Sequence, residues 1–195
     1  MPGPRIPLAL ATVSLLAAAP PALADTTTGG VGPATTSPAP KSPTATPPAP
    51  ARPTVPGTRA KLVNGLAYAP ATAPASVKRL IWAVNGIVGR PYLAGGGHAS
   101  FRPDRGYDCS GLVSYAMHAA GQLATPMSAP AFMRFGTAGP GRWVTVWARS
   151  GHVFAQIAGL RLDTTPYPSR GVEGSGWRDR MRDVAGYAAR HPADL

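Results

Sequence analysis

The sequence predicts an α+β domain, and three observations predict it. Two helical periodicities come first, strand patterns joined by short turns come afterwards, and strands and helices do not alternate along the chain. The domain is placed at residues 61–195 of a 195-residue chain, the size of one ordinary folding unit with a single core.

Its first element is a helix. Val77, Leu80, Ile81, Val84, Ile87 and Val88 recur at helical spacing, Ser76 is the expected N-cap, and Gly89-Arg90-Pro91 stops the run. A glycine-rich stretch follows, with Gly95, Gly96 and Gly97 ahead of His98. Three glycines in a row permit unusual backbone angles or the close approach of another segment, and without a Lys-Ser/Thr ending they are not a phosphate loop. The second helix has Asp108 as its expected cap, Leu112, Val113, Ala116 and Ala120 as its apolar stripe, and Gly121 at its end. Strands are expected over 143–147, 153–157 and 160–164, turning at Ser150-Gly151 and Ala158-Gly159. Beyond Thr165 the chain is rich in Pro, Gly and Arg and carries no clear period; covering one edge of the sheet is the role left for it.

Ahead of the domain, the proline excess excludes a packed core. Arg5 precedes an apolar run over 6–19, and Ala22-Leu23-Ala24 supplies a small-x-small cleavage pattern. Residues 1–24 are therefore expected to be a signal peptide, the mature chain to begin at Asp25, and the product to be secreted or held in the cell wall. The run falls short of the roughly 20 apolar residues a membrane span needs, so no stable membrane anchor is expected. Cys109 is the only cysteine, which leaves no lipid-attachment site near the start. Residues 25–60 are Thr, Pro and Ala with almost nothing large, and read as a disordered, semi-rigid spacer or as an inert tail.

Net charge is +11, mostly from arginine, with 15 basic against 7 acidic side chains after residue 60. Outside a cell, such a surface would concentrate the protein on anionic cell-wall polymers. Nucleic acid is not expected as a partner. The basic residues are scattered singly, only Arg178, Arg180 and Arg182 approach a cluster, and no nucleic-acid motif accompanies them.

A lone cysteine in an exported chain is a buried apolar residue, an intermolecular bridge or a reactive thiol. Cys109 follows the expected cap at the start of a helix, where unpaired amides and the helix dipole stabilise a thiolate. A thiol nucleophile needs a base, and of His98, His118, His152 and His191 the best placed is His152, which opens a strand after a turn glycine. A capping or surface role is the bland alternative for any of the four. No metal is expected, since there is no second cysteine, no His-x-x-x-His and no Asp-rich loop, and no cofactor is implied.

Asp108-Cys109-Ser110-Gly111-Leu112-Val113, with Gly151-His152-Val153 some forty residues later, resembles the signature of the NlpC/p-sixty family of cell-wall cysteine peptidases. Gly89-Arg90-Pro91-Tyr92 and the glycines after it resemble that family's upstream motif, and the tail through Arg190-His191-Pro192 resembles an actinobacterial branch. The resemblance spans about 77–165. It implies a papain-like fold, with the cysteine helix packed on an antiparallel sheet that carries the histidine. The implied activity is hydrolysis of peptidoglycan stem peptides between D-glutamate and a diamino acid, with Cys109 as nucleophile and His152 as base. Tyr92, Asp108 and Ser110 match positions that line the family's substrate site.

Two features depart from the pattern. The third catalytic position is usually a histidine, where this chain offers Asp163, and no SH3-like or LysM module is read ahead of the domain. Amidase or acyltransferase chemistry on the same fold, and wall binding without catalysis, are the alternative readings. Strand register supports Asp163 independently. If Ala158-Gly159 is a two-residue turn, Ile157 pairs with Leu160 and Ala155 with Leu162. His152, Phe154 and Gln156 then share a face with Arg161 and Asp163, and Asp163 is expected to accept the imidazole Nδ1 proton. A surface ion pair with Arg161 or another of the many arginines is the rival role for Asp163.

Overall fold

The computed structural model describes residues 52–166 and 174–195. The expected signal peptide, and the linker up to residue 51, lie outside them. Nine strands and three helices are described, running β1 (Thr54–Val55), β2 (Lys61–Val63), β3 (Leu66–Pro70), α1 (Ala75–Asn85), α2 (Cys109–Ala119), α3 (Ala129–Phe132), β4 (Thr137–Ala138), β5 (Val144–Arg149), β6 (His152–Ile157), β7 (Leu160–Asp163), β8 (Gly176–Arg178) and β9 (Ala188–His191). The architecture is α+β. A six-stranded sheet of order β4-β9-β5-β6-β7-β8, antiparallel at every junction, stands beside a small β1-β3-β2 sheet.

Helix α1 buries Val77, Leu80, Ile81 and Val84, the stripe its periodicity predicts. It begins one residue before the expected cap, because Pro74 takes the N-cap position at ψ 154° and the side chain of Ser76 caps nothing. Ile87 is buried in the turn after the helix, where Gly89 adopts φ +83° and donates its N–H to Ser175 O at 2.8 Å. Helix α2 runs from Cys109 to Ala119 and buries Leu112, Val113, Ala116 and Met117; Gly121, at φ +84°, ends it. These two helices, with Val146, Ala148, Val153, Ala155, Ile157 and Leu162 from the sheet, form one apolar core.

The turn between β6 and β7 places Ala158 at φ 46° and Gly159 at φ 90°, the left-handed pair of a two-residue hairpin. Pairing is Ile157 with Leu160 and Ala155 with Leu162, the register expected from that turn. Alternation then sends Val153, Ala155 and Ile157 into the core and leaves His152, Phe154 and Gln156 on the other face.

Residues 52–60, assigned to the linker by composition, hold to the fold instead. Thr54 and Val55 pair with Ala69 and Pro70, Ala60 N donates to Ala158 O at 2.8 Å, and the Arg52 guanidinium lies 5.1 Å from the centre of the Trp82 ring. Edge pairing of this kind uses backbone groups, which a Thr- and Pro-rich composition does not advertise. The tail supplies two strands. β8 covers the β7 edge, while β9 enters between β4 and β5, pairing Arg190 with Val146.

Candidate active site

Cys109 is the first residue of α2, and its surroundings are built from backbone. Asp108 caps the helix through Oδ1, which accepts from Gly111 N at 2.7 Å. Its Oδ2 accepts from Gly95 N at 3.1 Å, so one carboxylate ties the glycine-rich loop to the helix start. Glycine is required here by close approach. A Cβ at Gly111 would overlap the Gly96 carbonyl, and one at Gly97 would stand 2.6 Å from the buried Tyr107 ring. Tyr107 OH accepts in turn from Asp104 N at 3.0 Å. The loop is thereby pressed against the first turn of α2, the positive end of the helix dipole where Cys109 sits.

His152 opens β6 and Asp163 closes β7, with the imidazole Nε2 3.1 Å from Asp163 Oδ1. The side chains meet as the register implies, but through Nε2 rather than Nδ1. His152 and the backbone N–H of Val153 both act on the Cys109 thiol, while Nε2 reaches across to the neighbouring strand. Burial opposes a charge on either partner. Against it, the hydrogen bond from His152, the Val153 N–H and the imidazolium charge bring the Cys109 thiol below its ordinary value. Burial likewise favours neutral His152, yet hydrogen bonds to Asp163 and Cys109 and their charges push its pKa from 6.5 to about 9. Both directions favour a thiolate–imidazolium pair.

Asp163 is 1% exposed, and burial would raise its pKa, but His152, the Thr165 N–H and Arg161 together lower it. Oδ1 accepts from Thr165 N and Thr165 Oγ1, each at 3.1 Å. Oδ2 faces Arg161 Nε and Arg182 Nη1, each at 3.4 Å. The contact with the imidazole and the contacts with arginine therefore fall on the two different oxygens of one carboxylate.

Sequence reasoning missed the groups that hold this end of the site. Tyr187 stands edge-on to His152, with centroids 6.4 Å apart, and to Phe154, at 5.3 Å. The Arg149 guanidinium lies 4.8 Å from the centre of the Tyr187 ring, and that of Arg182 lies 5.6 Å from the centre of the Phe154 ring. Arg182 and Tyr187 belong to the tail beyond Thr165, whose lack of a period hid them.

The three residues assigned to substrate by resemblance fall in two settings. Asp108 and Ser110 are engaged with each other and with His98, whose Nε2 lies 3.0 Å from Asp108 Oδ1 and 3.2 Å from Ser110 Oγ. Tyr92 is 59% exposed, held at its backbone by a bridge to Tyr107. Among the described residues, no group of three or more His, Cys, Asp or Glu side chains is placed to hold a metal. No helix among them is long and apolar enough to cross a membrane.

Chemically, a thiolate can attack a carbonyl carbon, an imidazolium can protonate a leaving group, and a carboxylate in contact with the ring can orient it. No family model matches the chain, and no curated protein matches it in sequence. Among solved structures it is similar to the P60 domain of the M. avium subspecies paratuberculosis antigen MAP1204, at 20% identity and a TM-score of 0.43, over 59% of this chain and 93% of that one. It is also similar to Rv1477, a hypothetical invasion protein of Mycobacterium tuberculosis, at 21% identity and a TM-score of 0.43, over 59% of this chain and 61% of that one.

Proposed function

We propose that this protein is an exported cysteine peptidase of the NlpC/p-sixty type, from the actinobacterial branch, that hydrolyses peptidoglycan stem peptides between D-glutamate and a diamino acid. The observation that carries the reading is the array of Cys109 at a helix N-terminus, His152 beside it and Asp163 3.1 Å from the imidazole. The choice of substrate rests on the resemblance of the Asp108-Cys109-Ser110-Gly111 and Gly151-His152-Val153 segments to that family.

The reaction has two halves. Cys109 Sγ adds to the scissile carbonyl, and the oxyanion faces the first-turn N–H groups of α2. The C–N bond breaks as His152 gives its proton to the departing amine, leaving a thioester on Cys109. Water then loses a proton to His152 and attacks the thioester; the thiolate departs and the imidazolium re-forms. Asp163 stays ionised throughout. Tyr92, Asp108 and Ser110 would line the substrate approach on the cysteine side.

Digestion of purified muropeptides by the full chain, read by mass spectrometry, tests the reading. Two fragments whose masses sum to substrate plus one water, with new ends at D-glutamate and the diamino acid, are expected. Release of the intact stem from the sugar would mean an amidase, a cross-linked or transferred product an acyltransferase, and unchanged substrate a binding protein.

A further inference from the structure

At the far end of β6 from His152 lies a cleft of about 410 Å³, lined among others by Arg59, Arg142, Thr58, Thr145, Gln156 and Gly159. No Asp or Glu lines it, and among the described residues neither Arg59 nor Arg142 pairs with a carboxylate. Each guanidinium lies against one wall of the cleft. The Ala60 N–H to Ala158 O bond brings Arg59 over the β6–β7 turn, where its guanidinium carbon would stand 2.8 Å from a Cβ at Gly159. Gly159 thus leaves the room that Arg59 fills. Arg142 lies 5.5 Å from the centre of the buried Trp143 ring. Between them Thr58 and Thr145 bring hydroxyls and Gln156 an amide, so the wall carries cationic forks with neutral donors beside them.

We propose that this cleft is a second binding site, taking an anionic group (a phosphodiester or a carboxylate) of a cell-wall glycopolymer. Two guanidinium forks without a counter-charge, in a concave polar wall, suit doubly bonded anionic oxygens, and the hydroxyls and amide suit a sugar beside the anion. The cleft is a half-open hollow whose volume of about 410 Å³ matches one or two sugar units rather than a long track. A nucleic-acid backbone would need such a track, with bases stacked on exposed aromatic rings. Gln156 and His152 lie on the same face, four residues apart, or about 13 Å along the strand. A polymer held there would dock the protein on the wall with its nucleophile a short, fixed distance away. The proposal rests on the wall-peptidase reading for its setting.

The test is co-sedimentation of the full chain with purified cell walls, alongside hydrolysis of a soluble stem peptide. Arg59→Gln/Arg142→Gln is expected to lower affinity for walls at least fivefold, while leaving soluble-peptide turnover at the wild-type rate. An Arg134→Gln/Arg180→Gln protein, which loses the same charge at exposed sites outside the cleft, should bind like wild type. Stripping phosphodiester polymers from the walls abolishes the difference if phosphate is the ligand, and carbodiimide amidation abolishes it if carboxylate is. Unchanged wall binding by the cleft variant, equal loss in the control variant, or displacement by a DNA oligonucleotide as effective as by wall polymer would each overturn the proposal. Absence of stem-peptide hydrolysis with cleft-dependent binding intact would instead refute the peptidase reading alone.

Discussion

The two ends of the candidate site are built differently. Around Cys109 the parts are local: a cap, a helix start and a glycine loop within about fifteen residues of the thiol, locked by backbone contacts that leave no room for a Cβ. Around His152 the parts are distant. Asp163 comes from the next strand, and Arg182 and Tyr187 come from the tail, all meeting through side chains on one sheet face. The cysteine end should therefore break by steric overlap and the histidine end by loss of charge or ring contacts.

The largest expected effect lies where the two ends meet. Cys109→Ala should reduce turnover by about 10³-fold or more, since the members of such a set act as a unit, while the melting temperature stays near wild type. A circular dichroism melt beside a muropeptide assay checks both halves.

Asp163→Asn keeps the shape and removes the charge, and should lower kcat by about 10²-fold or more. The variant should also shift the pH profile. Imidazolium is present up to about pH 9 in the wild type, so the alkaline limb of kcat/KM should fall near there, and in Asp163→Asn it should move to lower pH. Stability follows the same sign. A histidine raised from 6.5 to about 9 stabilises the fold fully below pH 6.5 and loses that contribution as pH rises through 9. The His152 part of the stability gap between wild type and Asp163→Asn should shrink over that interval, as denaturant titrations at pH 6 and pH 9.5 would report.

At the cysteine end, Gly111→Ala pushes a methyl into the Gly96 carbonyl and should cost about 1–3 kcal/mol of stability. Activity should fall with it, because the first turn of α2 must move. Asp108→Ala removes the cap and the tie to Gly95, for a smaller loss of about 0.5–2 kcal/mol. A Gly111→Ala protein as stable as wild type would remove the steric account of this end.

The same contrast explains what the sequence could disclose. Asp108 as cap, Cys109 at the helix start and the β6–β7 register were legible because each depends on neighbours a few residues away: a side chain that caps, a dipole, a two-residue turn. From that register the proximity of Asp163 to His152 followed. The choice of Nε2 did not, since it depends on where the cysteine helix sits against Val153. Tyr187 and Arg182 were invisible for a related reason. They lie in a segment without a hydrophobic period, held by strand pairing and ring contacts to residues far away in sequence. β1 and the placement of Arg59 escaped in the same way, because edge pairing uses backbone groups that composition does not reveal.

The two ends meet at Cys109 and His152, and the protonation of that pair can be measured without any substrate. The rate of Cys109 alkylation by iodoacetamide, followed against pH in wild type and in His152→Ala, reports the thiolate directly. A thiolate–imidazolium pair predicts a wild-type midpoint below the ordinary thiol value of 9.0, and a midpoint moved upward in His152→Ala, where burial acts on the thiol without the imidazole to oppose it. A wild-type midpoint at or above 9.0, or one that His152→Ala leaves in place, would contradict the pair.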